Sequence, residues 1–121
     1  MKEILYVGAG SAIGGISRYL ASKGITAIFN YPFPLGTFLI NVAGSLLIGY
    51  FMGQSAKGSV TATSYLLLAT GFCGGFTTFS AFSMENINLL RNGQYGLAIT
   101  YMAGSVFIGL LACLLGYHFG K

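Results

Sequence analysis

With two acids and six bases in 121 residues, only 7% of them charged, this chain cannot clothe a water-facing globule, where charged residues make up about 25%. It is 55% hydrophobic, and such a surface belongs in lipid, where apolar side chains need no polar cover. The bases stand singly, at Lys2, Arg18, Lys23, Lys57, Arg91 and Lys121. A nucleic-acid footprint needs them clustered on one face, so no nucleic acid is expected as a partner.

A hydrocarbon core about 30 Å thick takes roughly 20 apolar residues per helix, so the length holds at most about four or five spans, in one membrane domain, residues 1–121. The first span is expected from about Ile4 to Ala21. Its glycines and Arg18 break the apolar core that a cleaved signal peptide needs, so it reads as retained. A loop from Ser22 to Pro34 follows, in which Asn30, Tyr31, Pro32 and Pro34 are turn and interface residues. The second span covers about Leu35 to Met52, and Gln54 to Ser59 is the polar link after it.

The third apolar region runs from about Thr63 to Leu90. As one helix it would be about 42 Å long, well beyond the hydrocarbon core. Gly71-Phe72-Cys73-Gly74-Gly75-Phe76-Thr77-Thr78-Phe79-Ser80 stands in its middle. Glycines weaken a helix there, and the following hydroxyls can bond freed backbone groups. Irregular backbone at membrane depth is tolerated only against protein or a wet cavity. The spacing therefore predicts a helix broken mid-membrane; the alternative is a continuous, tilted helix with a flexible middle. After a turn at Arg91-Asn92-Gly93-Gln94, the fourth span covers about Gly96 to Phe119.

Gly10/Gly14, Gly49/Gly53 and Gly116/Gly120 are each four apart, and such small-residue ridges let helices approach closely in lipid. Ala43-Gly44-Ser45 through Gly49 recurs as Ala103-Gly104-Ser105 through Gly109, which shared packing demands explain better than duplication. Four spans put both termini on one side, with Lys2, Lys57 and Lys121. Lys23 and Arg91 lie on the other, with Arg18 near the end of the first span. No positive-inside bias results. Either insertion is marginally biased, or the chain inserts both ways and pairs with its inverted copy, and four short helices make a thin bundle for a private pathway. A dimer is expected.

Polar groups inside spans are expensive and mark function. Thr37, Asn41 and Ser45 share one face of the second span, and Tyr101 and Ser105 one face of the fourth. Thr77, Thr78, Ser80 and Ser83 cluster near the break, with Phe79 and Phe82 between them. Taken singly, each hydroxyl reads as packing, Asn41 as interhelical glue, the phenylalanines as bulk and Arg18 as a snorkelling base. Together they converge: neutral donors on three spans, one deep base (Arg18) and one deep acid (Glu85). Donors with an arginine suit an anion, and aromatic ring edges carry positive potential. Cys73 and Cys113 make no metal or redox spacing. No nucleophile is paired with a histidine base, so the chain is not expected to be an enzyme.

Gly14-Gly15-Ile16-Ser17-Arg18-Tyr19, Gly36-Thr37-Phe38-Leu39-Ile40-Asn41-Val42-Ala43-Gly44-Ser45, and the run from Gly71 to Glu85 strongly resemble the Fluc/CrcB fluoride channels, over essentially the whole chain. The resemblance implies an antiparallel, dual-topology homodimer in the inner (plasma) membrane that conducts fluoride and relieves its toxicity. It implies that Asn41, Phe79 and Phe82 line the fluoride path, with Ser80 and Ser83 on an adjacent hydroxyl track. Tyr101 and Ser105 fall on the fourth-span track, and Arg18 near a vestibule. Backbone carbonyls of Gly74 and Thr77 from both subunits would hold a structural Na+. Ala81 stands where members commonly have Thr, and Gly109 where some have Ser, so the hydroxyl track is expected to be shorter. A proton-coupled exporter of cationic drugs is the competing reading, but it needs a mid-membrane acid in the first span, whose only acid is Glu3. A non-conducting assembly subunit would explain the glycines but not the converging donors.

Overall fold

A computed structural model describes residues 1–29 and 32–121; Asn30 and Tyr31, read above as turn and interface residues, lie outside the described residues. Every regular element among the described residues is helical. Helix α1 spans Lys2–Ile28 and α2 Leu35–Ala56. Helix α3 covers residues 62–76 as Ala62–Tyr65, a wide-turned π segment Leu66–Cys73, and Gly74–Phe76. Helix α4 spans Ser80–Arg91, and α5 spans Tyr95–Gly120.

Three stretches are long and apolar enough to cross a bilayer: Leu35–Ala56, Ala62–Arg91 and Tyr95–Gly120. Helix α1, at 27 residues, has the length for a fourth crossing, but Arg18, Lys23 and its glycines dilute its apolar character. It also runs past the expected end at Ala21, closing with Phe29 N donating to Ile25 O at 2.8 Å. Apolarity marks where a helix meets hydrocarbon, whereas the helix itself continues into the interface. The turns fall where polar residues and glycine predict them. Gly58 and Gly93 take φ of 77° and 75°, a left-handed conformation that a side chain disfavours.

The helices pack as two close pairs, α1 with α3 and α2 with α5, and glycine makes both possible. A Cβ placed at Gly10, Gly14 or Gly75 would run into the backbone carbonyls of Leu67, Phe72 and Ser11 respectively. In the other pair, a Cβ at Gly49, Gly116 or Gly120 would strike the carbonyls of Cys113, Leu46 and Tyr50. With lipid as apolar as leucine, such backbone-to-backbone contact is a main source of helix association. The fully buried core is correspondingly small: Tyr101 and Cys73 are the largest side chains without exposure. Large apolar side chains such as Ile16, Leu20, Phe107, Leu110 and Leu114 point outward, as lipid contact requires.

The third crossing is interrupted, as the sequence predicts, but at Thr77–Phe79 and not at the glycines. Gly71, Gly74 and Gly75 all lie in helical turns. Gly71 and Gly75 face α1, where their missing side chains serve close approach. The chain leaves the helix at Thr77, with φ −85° and ψ 158°. The freed backbone groups find partners close by. Cys73 O accepts from Thr77 N at 3.0 Å and from Thr77 Oγ1 at 2.9 Å. Thr78 Oγ1 accepts from Ala81 N at 3.2 Å, doing for α4 what a cap hydroxyl does for an orphan amide.

Candidate functional site

Across the break lies Asn41 of α2. Its Nδ2 donates to Thr78 O at 2.9 Å, and its Oδ1 accepts from Thr78 N at 2.8 Å. One side-chain amide thus stands in for a strand partner and fixes the irregular peptide, leaving the second N–H of Nδ2 uncommitted by these two bonds. Thr77 faces α2 as well: its Cγ2 sits so close to Gly44 that a Cβ there would collide with it.

Beside this clamp a groove of about 350 Å³ opens between α2, the break and α5. Asn41, Thr77, Phe79, Phe82 and Ser105 are among its lining residues. Among the described residues, no carboxylate, ammonium or guanidinium lines it, and Cys73 is its one ionisable side chain. Phe79 and Phe82 lie with ring centroids 5.6 Å apart and planes inclined by 39°. Phe79 is 77% exposed, a large ring projecting from the chain. Ser105 Oγ is buried and has no hydrogen-bond partner among the described residues, so a hydroxyl donor stands ready at the groove wall. Ser45 lines the same groove, and its Oγ lies 3.7 Å from where a Cβ would sit on Gly109. The expected gap in the fourth-span hydroxyl track therefore falls against another hydroxyl.

The remaining residues singled out in the sequence stand around this groove and not all within it. Ser80 is exposed at the start of α4, with its Oγ 3.3 Å from Thr78 Oγ1. Ser83 Oγ donates to Phe79 O at 3.0 Å, bonding its own helix as hydroxyls in lipid often do. Tyr101 is outside the groove. It is wholly buried behind Phe82, with ring centroids 4.9 Å apart. Arg18 is also outside it, reaching from α1 so that Nε donates to Gly75 O at 3.3 Å, near the C-terminal end of α3. Gly74 is exposed, with nothing within 4 Å of a Cβ position, and lines the groove with Thr77.

Sequence reasoning missed how Glu85 is held. Its Oε2 accepts from Thr37 Oγ1 and its Oε1 from Tyr101 OH, both at 2.8 Å. One acid thereby ties α4 to α2 and α5, and it engages two of the four hydroxyls that periodicity placed on donor faces, Thr37 and Tyr101. The signal was present in part, as the only deep acid beside two deep hydroxyls, but nothing in their spacing pairs them. Phe33 was missed too. Its ring sits edge-on to Tyr101 at 5.3 Å and to Phe38 at 5.8 Å, closing the aromatic cluster from the loop side.

Fold and site together define a polytopic helical membrane protein whose third crossing breaks at a groove lined by uncharged donors and aromatic rings. The chain belongs to the CrcB family: residues 5–117 match the family described as CrcB-like protein, Camphor Resistance (CrcB). Among its relatives is a "Fluoride-specific ion channel FluC" of Bacteroides fragilis, 41% identical and covering 100% of this chain and 98% of the relative. Proteins of the same name from Flavobacterium psychrophilum and Thermus thermophilus are 44% and 39% identical. They cover 100% and 99% of this chain, and 98% and 94% of those proteins.

Proposed function

We propose that this protein is a fluoride-selective ion channel of the plasma (inner) membrane, through which fluoride leaves the cytoplasm passively. The observation that carries the reading is the groove: an amide, hydroxyls and two phenylalanine rings, with no carboxylate among its described lining residues. The full-length relatives named as fluoride-specific channels support the choice of ion. Fluoride is small and strongly hydrated, so a narrow path must replace its water with donors. The second N–H of Asn41 and the free hydroxyl of Ser105 are such donors, with Ser80 and Ser83 flanking. The edges of Phe79 and Phe82 add weak positive potential. A fixed cation inside the path would hold the ion too tightly for rapid exit, which fits Arg18 standing outside the groove as a vestibule base. Tyr101, bonded to Glu85 behind Phe82, extends the polar track away from the groove.

The test is ion efflux from liposomes holding only this protein. Fluoride should leave rapidly and chloride slowly, since chloride is larger than the path its donors define. Equal rates for the two anions would refute the reading.

A single chain leaves the groove open and Phe79 projecting outward, so the pathway calls for a second copy. Balanced bases favour an antiparallel, dual-topology homodimer, the inverted copies meeting around a midplane site. A label on a tag at Lys121 should react from both sides of the membrane in one population; reaction from one side alone would exclude this assembly.

The same dimer would complete a structural Na+ site at the break. Gly74 and Thr77 fit such an ion: both line the open groove, α3 ends there and its terminal carbonyls have no following turn, and neutral oxygens suit a hard monovalent cation. One chain contributes two carbonyls at most from these positions, so the ion would join the two copies without taking part in conduction. High-resolution density from protein in sodium buffer should contain a buried ion there, and empty density would overturn the assignment.

A further inference from the structure

Two phenylalanines from different parts of the chain bear on Tyr101. Phe82 of α4 lies with ring centroids 4.9 Å apart. Phe33, in the link between α1 and α2, stands edge-on at 5.3 Å with planes inclined by 75°. Phe33 is half-buried and sits between Pro32 and Pro34. Each proline fixes its own φ, and Pro34 also confines the residue before it to extended conformations. The ring is therefore carried on a stiff stretch of link, where Phe33 O accepts from Leu35 N at 2.8 Å. It rests as well against Phe38 of α2, edge-on at 5.8 Å.

What Tyr101 does with this support is hold Glu85. Its hydroxyl donates to Oε1 while Thr37 Oγ1 donates to Oε2. Glu85 stands three positions from Phe82 on α4, so the two side chains are neighbours on the helix surface. Yet Glu85 is not among the described residues lining the groove at the break. It borders instead a cavity of about 140 Å³ under the link, together with Phe33 and Thr37. A carboxylate turned into the path of an anion would oppose it by like charge. Building on the fluoride-channel reading, we propose that Phe33 is a positioning residue for conduction. Its ring edge sets the Tyr101 ring so that the hydroxyl keeps Glu85 turned away from the groove. Phe33 itself touches no ion. Without its ring, Tyr101 tilts, the bond to Glu85 loosens, and the carboxylate is free to swing toward Phe82.

A double-mutant cycle in the full-length protein tests this, read both as fluoride efflux from liposomes and as melting temperature. Phe33→Leu keeps apolar bulk and removes the ring. It should lower efflux about threefold, the factor by which one edge-to-face pair shifts an equilibrium, while Phe33→Tyr, which keeps the ring, restores it. Removing the charge shows how the loss arises. Added to Glu85→Gln, Phe33→Leu should leave efflux at the level of Glu85→Gln alone, because no carboxylate remains to be misplaced. It should also lower the melting temperature by less than it does with Glu85 in place, since only its own packing is then lost. A ring that merely braces the fold would cause the same losses in either background. That additive result, in either reading, would overturn the proposal, as would wild-type efflux by Phe33→Leu. The melting temperatures require no ion flow, so they decide the matter alone if Glu85→Gln does not conduct. If the wild-type protein passed no fluoride, the channel reading would fall, and the coupling of Phe33 to Glu85 would still be measured.

Discussion

Replacing Phe79 or Phe82 by isoleucine will lower fluoride efflux from proteoliposomes by at least about tenfold, equivalent to about 1.4 kcal/mol on the barrier. Isoleucine keeps apolar bulk but has no ring quadrupole, so the positive edge offered to an anion disappears. The two positions differ in what else they touch. Phe79 projects outward at 77% exposure, and its loss costs the single chain little packing. Phe82 rests against the buried Tyr101, so its replacement also slackens the support of the hydroxyl that holds Glu85. Phe79→Ile is therefore the cleaner test of conduction, and Phe82→Ile should show a lower melting temperature beside the lost flux. Normal fluoride efflux in both variants, each eluting at the wild-type size, would disprove the role of the rings.

Asn41→Asp will bring fluoride efflux close to that of protein-free liposomes, for a reason the structure sharpens. Aspartate still accepts from Thr78 N, but its second oxygen then faces Thr78 O, where Asn41 now donates. Two acceptors confront each other, a donor is lost from the groove, and a negative charge stands where an anion should pass. A buried polar group deprived of its partner costs about 1–3 kcal/mol, so the break itself loosens. Asn41→Ala separates the effects, since it removes the clamp without adding charge. It should lose flux and stability together, whereas Asn41→Asp should lose flux further than its stability accounts for. Wild-type efflux by Asn41→Asp would contradict both the clamp and the path.

Much of this architecture was legible because lipid makes strong demands. Length of apolar run marks each crossing, and the excess between Thr63 and Leu90 marks an interruption. The glycines four apart predict close contact, and Gly10, Gly14, Gly49 and Gly116 meet backbone as that spacing requires. What spacing cannot encode is which of two consequences a glycine serves. The adjacent Gly74 and Gly75, expected with the two threonines to interrupt the helix, both lie in helical turns; Gly75 packs against α1, and the threonines with Asn41 make the break. The convergence of Asn41, Phe79, Phe82 and Ser105 follows from periodicity within each helix together with the family resemblance. The bridge from Thr37 through Glu85 to Tyr101 does not. Its members are separated by 48 and 16 positions, and only the packing of three helices brings them together. Helix α1 continues to Ile28, beyond the expected span end at Ala21, for a related reason, since polar residues can leave the hydrocarbon without leaving the helix.

The pairing of α1 with α3 and of α2 with α5 also bears on how the chain is made. Neither close pair joins neighbours in sequence. As the ribosome delivers the helices in order, α1 and α2 enter the bilayer side by side without the partners their glycines fit. The first such contact becomes available only when α3 has emerged, and the second waits for α5, the last helix synthesised. Assembly is therefore a late event, completed after translation has all but ended. Until then α2 stands without the helix its glycines fit, and the nascent chain is at its most vulnerable to membrane proteases and to pairing with the wrong neighbour.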